Sequence, residues 1–99
     1  MTIKISKNDK TLRVAVRGRL DTLTLPDLEE QLEPALDGAE KLIFDLSELE
    51  YISSTGLRVL LAAGMEMESR GGEMTVTKVR PEVMEVFEIT GFVDILTIG

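Results

Sequence analysis

LIFDLSELEYISSTGLRVLL, residues 42–61, decides how this chain folds. With Lys41 ahead of it, the opening run KLIFDL over 41–46 is short and apolar, which predicts a central parallel strand buried on both faces. From Ser54 the apolar residues fall at helical spacing through Leu57, Leu60, Leu61, Gly64 and Met65 or Met67, and Gly71-Gly72 stops the helix after Arg70. Between strand and helix stand three hydroxyl residues, Ser53, Ser54 and Thr55, followed by Gly56. One hydroxyl is enough to cap a helix, by accepting from an unpaired N–H of the first turn, and either Ser53 or Ser54 suits that task. Two hydroxyls are then left over.

Working outward, residues 3–8 (IKISKN) and 12–17 (LRVAVR) alternate apolar and polar about a turn-like Asn8-Asp9-Lys10, which predicts a β-hairpin. Leu12, Val14 and Val16 should face the core, with Arg13 and Arg17 facing away and Gly18 ending the strand. A helix follows, capped by Thr22 or Thr24, with T-x-x-D (Thr24 to Asp27) resembling a capping box and Leu25, Leu28, Leu32 and Leu36 forming its stripe. Pro26 is tolerated in a first turn, whereas Pro34 should kink or end the helix. Residues 73–79 read as a strand. A helix begins at Pro81 with Val83, Val86, Phe87 and Thr90 inward, Gly91 lies just past its end, and a short strand over 94–98 closes the chain. The order is ββαβαβαβ: one α/β domain over 1–99, its sheet mixed but mostly parallel, with an N-terminal hairpin and helices packed on it. In such sheets, sites form where strands end and helices begin, which is where the hydroxyl-rich turn lies.

Composition removes several functions. The chain has 99 residues, no Cys and no His, so thiolate chemistry, disulfides, sulfur-based zinc sites and a Ser-His-Asp triad are all excluded within it. A net charge of −7 argues against nucleic acid and against an anionic membrane surface, and suits either solubility alone or a partner that presents a basic face. No apolar stretch approaches the length of a membrane span, and MTIKISKNDK lacks the apolar region of a signal peptide, so a cytoplasmic location is expected. Catalysis at Ser54 would need Lys or a carboxylate as base, with Asp21, Asp45 and Glu48 as candidates, and no G-x-S-x-G elbow surrounds the serine. No phosphate-loop motif accompanies Gly71-Gly72, which weakens a nucleotide-binding reading; no cofactor or metal is expected.

A phosphate at the start of a helix adds about −1.5 to −2 charge where unpaired N–H groups favour it, so it changes the surface without unfolding the domain. Gly56 would keep the adjoining surface low for an approaching protein, and Val59, Ala62 and Ala63, outside the assigned core stripe and beside Arg58 and Glu66, would either pack against a neighbouring helix or form a docking face.

GRLDTLT, the run LIFDLSELEYISSTGLRVLL, RGGEMTV and FEITGFVDILTI occur in the order and register in which similar segments occur in the anti-sigma factor antagonist family, whose fold is the STAS domain. The chain resembles that family over nearly its whole length. The resemblance implies a switch rather than an enzyme. The unphosphorylated protein binds an anti-sigma factor that is also a serine kinase and so frees the sigma factor; phosphorylation ends the binding, and a serine phosphatase restores it. Carried over, the modified residue is Ser54, with Ser53 standing where the family's turn has Asp, and with Ser53 and Thr55 as the alternative acceptors. Asp21, Thr22, Ser53, Thr55, Gly56, Arg58, Val59 and Ala62 fall on the partner-binding surface, and a monomer suffices. The alternative carrying the same fold is a STAS subunit of an ABC transport complex that binds its ATPase and is never phosphorylated, for which an acceptor serine is unnecessary.

Overall fold

Asp9 and Lys10 reverse the chain between two alternating strands, β1 (Thr2–Asn8) and β2 (Thr11–Leu20), as the hairpin reading expects. Asp9 takes φ 59°, a left-handed conformation that Asp tolerates better than most residues. The computed structural model describes residues 1–99. The strands pair antiparallel from Asn8 with Thr11 to Thr2 with Arg17. Leu12, Val14 and Val16 are buried, while Arg13, Ala15 and Arg17 point to the opposite face.

β2 does not stop at Gly18. Gly18 has φ 96°, and the pairing register shifts between it and Arg19. The glycine thus makes an irregularity that redirects the strand instead of ending it. Beyond it, Arg19 and Leu20 pair in parallel with Tyr51 and Ile52 of β4 (Leu49–Ile52), a strand that the local pattern did not announce. β3 (Lys41–Asp45) lies parallel between β2 and β5 (Glu73–Thr77), giving the order β1-β2-β3-β5 with β4 off the far end of β2. The helices are α1 (Leu25–Ala35), α2 (Ser54–Ser69) and α3 (Pro81–Thr90). The last stretch is no full strand: a 3-10 turn over Phe92–Asp94 leads to a single bridge between Ile98 and Val76. The order is therefore ββαββαβα, and the mixed sheet with its N-terminal hairpin stands as expected.

The apolar interior is one cluster, in which Leu12, Leu28, Phe44, Leu60 and Phe87 are fully buried. On α2, Leu57, Leu60, Ala63 and Met67 are buried; Leu61 and Gly64 are half-buried, and Met65 points out at 62% exposure. Ala63 therefore belongs to the core and not to a free face, because α2 packs against both the sheet and α1. On α3, Val83 and Phe87 are buried and Val86 half-buried, but Thr90 is exposed and donates its hydroxyl to the Val86 carbonyl at 2.7 Å. α1 ends at Ala35, one residue after Pro34.

β3 is not buried on both faces. Leu42 and Phe44 are fully buried, whereas Ile43 on the other side is only half-buried. On that outer face Arg13, Asp45 and Thr77 replace a second helical layer. Arg13 Nη2 donates to Asp45 Oδ2 at 2.8 Å, Lys78 Nζ lies 3.9 Å from the same oxygen, and the Ser47 N–H donates to Asp45 Oδ1 at 3.0 Å. Burial raises the Asp45 pKa, but the bonds from Ser47 and Arg13 and the charge of Lys78 together outweigh it and leave the carboxyl below its ordinary 3.8. A depressed folded pKa gives stability that is present above the unfolded value and lost as pH falls through the folded one. Asp45→Asn should therefore cost about 1–3 kcal/mol at neutral pH, by removing charge-assisted bonds from a nearly buried site. Urea titrations at descending pH should show the gap to the parent protein narrowing below the ordinary carboxyl range.

Candidate functional site

β2 and β4 both end, and α1 and α2 both begin, at one end of the sheet. The two exits are tied directly: the Ser53 N–H donates to the Leu20 carbonyl at 2.9 Å. Ser53 is extended (φ −85°, ψ 169°), and its Oγ accepts from the Gly56 N–H at 3.1 Å while its carbonyl accepts from the Leu57 N–H at 3.0 Å. Ser53 is the helix cap. Its hydroxyl is half-buried and committed. Ser54, the first helical residue, is exposed; Thr55 is half-buried. Of the three candidate acceptors, Ser54 alone is exposed.

Gly56 is buried, so it does not shape a surface for an incoming protein. A Cβ there would lie 2.9 Å from Ile52 Cγ1, 3.0 Å from the Leu20 carbonyl oxygen and 3.1 Å from Leu20 Cγ. The glycine lets the first turn of α2 press onto the ends of β2 and β4. Further along the helix Arg58 and Ala62 are exposed and Val59 is half-buried.

The Asp21–Thr24 turn stands beside this first turn because Leu20 is bonded to Ser53. Asp21 Oδ1 accepts from the Leu23 and Thr24 N–H groups, each at 3.1 Å. Thr24 Oγ1 accepts from the Asp21 N–H at 3.0 Å and donates to the Arg19 carbonyl at 2.8 Å. Thr24 is the α1 N-cap by position, yet its side chain caps nothing in the helix, and the Thr24–Asp27 box does not form. Its hydroxyl is spent locking the turn to Arg19. The Thr24 N–H chiefly lowers the Asp21 pKa; desolvation opposes it, and Leu23, the Thr24 hydroxyl and Arg19 add to the lowering. Asp21 is thus a fixed anion at the site.

Three residues at this end carry a signal that the linear pattern did not select. Leu23 is 90% exposed on the locked turn. Tyr51 is 40% exposed, and the Arg19 guanidinium carbon sits 4.3 Å from its ring centroid. For Leu23 the available sign was an apolar residue lying outside the Leu25-Leu28-Leu32-Leu36 stripe. Thr22, beside it, is exposed as well.

The carboxylates considered for catalysis do not converge on Ser54. Asp45 is bonded to Arg13 and Ser47 on the outer sheet face, Glu48 pairs with Arg17 at 3.3 Å, and Asp21 is bonded within its own turn. No group of acidic side chains is placed to hold a metal ion, and no helix is long and apolar enough to cross a membrane.

A family model described as "Mlab, STAS domain" matches residues 3–97. BtrV of Bordetella bronchiseptica, named as an anti-sigma factor antagonist, is 34% identical over all of this chain and 86% of its own length. An anti-sigma factor antagonist from Mycobacterium paratuberculosis superimposes with a TM-score of 0.86 at 26% identity, over 98% of this chain and 83% of that one. The Bacillus antagonist SpoIIAA shares the fold in its unphosphorylated form, with a TM-score of 0.84 at 18% identity over 99% and 88% of the two chains. Its phosphorylated form also shares it, at 0.77 and 17%, over 99% and 91%.

Proposed function

This chain belongs to the STAS domain family, among the anti-sigma factor antagonists, and from that premise we propose that it is a phosphorylation-controlled binding switch acting in the cytoplasm. The unphosphorylated form binds an anti-sigma factor that is also a serine kinase and releases the sigma factor. Phosphate on Ser54 ends that binding, and a serine phosphatase restores it.

The observation that carries this reading is the division of labour at the turn: Ser53 caps, and Ser54 stands exposed at the first position of α2. Ser53 takes the N–H groups of Gly56 and Leu57, which leaves those of Ser54 and Thr55 to face a phosphate. The first turn of α2 carries no acidic residue to repel it. A phosphate here meets a favourable helix end, so the domain stays folded while its surface gains charge and bulk. The partner surface proposed around Ser54 comprises Asp21, Thr22, Leu23, Thr55, Arg58, Val59 and Ala62.

The test is displacement. Added to a complex of the kinase anti-sigma factor with its sigma factor, both from the same genome, the unphosphorylated protein and Ser54→Ala should release sigma, and the phosphorylated protein should not. Release by both forms alike would sink the switch. Ser53→Ala separates cap from acceptor: losing the cap should cost about 1 kcal/mol in thermal unfolding, yet the protein should still take phosphate.

A further inference from the structure

A groove of about 330 Å³ runs between α1 and α2, floored by Leu32, Leu36, Val59, Ala62 and Ala63. Both helices start at the switch end of the sheet, so the groove leads away from Ser54 along α2. Its rim is charged. Glu66 is neutralised by Arg70, whose Nε donates to Glu66 Oε1 at 2.9 Å and whose Nη1 donates to the Leu36 carbonyl at 3.2 Å. On the opposite wall Glu29 and Glu33 stand exposed, one turn apart, on a helix with no basic residue. Like charges at that spacing repel, and Glu33 in the last turn also opposes the helix dipole. This arrangement costs the isolated protein stability and brings it no internal contact.

We propose that this groove receives an amphipathic helix of the anti-sigma partner, its small and aliphatic ridge on the Leu32–Ala63 floor and its Lys or Arg residues against Glu29 and Glu33. The inference rests on the switch reading for the identity of the partner, though not for the chemistry of the groove. An apolar trough between two helices, with one acidic wall, complements a helix of that pattern. A second copy of this chain does not supply one. Its three helices carry nine acidic residues and a single basic one, Arg58, so a second copy would meet the wall with like charge. Engagement along the groove would extend the contact from Ser54 over the length of α2.

Two measurements test this on the intact domain. First, a synthetic helix with a Leu/Ala ridge flanked by lysines is titrated into labelled protein, beside the same helix flanked by glutamates. The lysine form should shift the amides of Leu32, Val59, Ala62 and Ala63, and the glutamate form should not; shifts elsewhere, or equal shifts with both, overturn the proposal. Second, Glu33→Lys and the Glu29→Lys/Glu33→Lys pair are assayed against the kinase anti-sigma factor. Both positions are exposed, and Glu33→Lys relieves the repulsion from Glu29 and Asp37, each one turn away, so thermal stability should hold or rise. Affinity for the partner should nevertheless fall about tenfold or more. Unchanged affinity, with Ser54→Asp still weakening the complex, would remove the groove and keep the switch. Groove binding of the lysine helix without any binding of the kinase would remove the switch and keep the groove.

Discussion

Ser54→Asp should lower affinity for the kinase anti-sigma factor by about 3 kcal/mol, roughly 150-fold, while leaving the melting temperature nearly unchanged. The two halves of this result have separate causes. Ser54 is exposed and begins α2, where the helix dipole favours an anion by about 0.3–1 kcal/mol, so the folded protein has nothing to lose. In the complex the same carboxylate would be taken out of water without a partner selected for it. Calorimetric titration gives the affinity and scanning calorimetry gives the stability. A loss of binding that tracked a loss of folding would point to structural damage instead of a charge switch.

Gly56→Ala should destabilise the domain by about 2 kcal/mol, lowering the melting temperature by roughly 10 °C. The added Cβ would sit within 3.0 Å of both Ile52 Cγ1 and the backbone oxygen of Leu20, and a backbone oxygen that already accepts from Ser53 cannot swing aside. Gly64 on the same helix supplies the contrast. A Cβ there meets only the mobile end of Met74, at 3.3 Å, so Gly64→Ala should be neutral or stabilising by up to about 1 kcal/mol through helix propensity. Equal effects at the two glycines would mean that Gly56 is not a packing residue.

Local signals in the chain account for some elements and not for others. The hairpin, β3, α2 and α3 were legible because alternation, 3.6-residue spacing, Pro81 and Gly91 are local signals. β4 was not, since LEYI becomes a strand only by pairing with Arg19 and Leu20 beyond the Gly18 irregularity, a contact across some thirty positions. The closing strand failed for the opposite reason: DILTI is short and rich in apolar residues, but the 3-10 turn ends within it at Asp94, and only Ile98 bridges to β5. KLIFDL could not reveal that the sheet is covered on one side, although Asp45 within it was the clue. At the site, the turn into α2 was legible as three adjacent hydroxyls. Which of them caps was not, because Ser53 and Ser54 are equally able. The position of Gly56 beside the hydroxyls suggests room for a partner, whereas it makes room for Leu20 and Ile52. Leu23 is one leucine among several in sequence, and only the fold leaves it exposed.

The central claim is that Ser54 is the residue on which the switch turns, and phosphopeptide mapping tests it most directly. The protein, Ser53→Ala and Ser54→Ala are each incubated with ATP and the kinase anti-sigma factor, and the products are followed by intact mass and by peptides covering residues 51–61. The account predicts one phosphate on the parent protein and on Ser53→Ala, and none on Ser54→Ala. A single phosphate persisting on Ser54→Ala at Ser53 or Thr55 would contradict it.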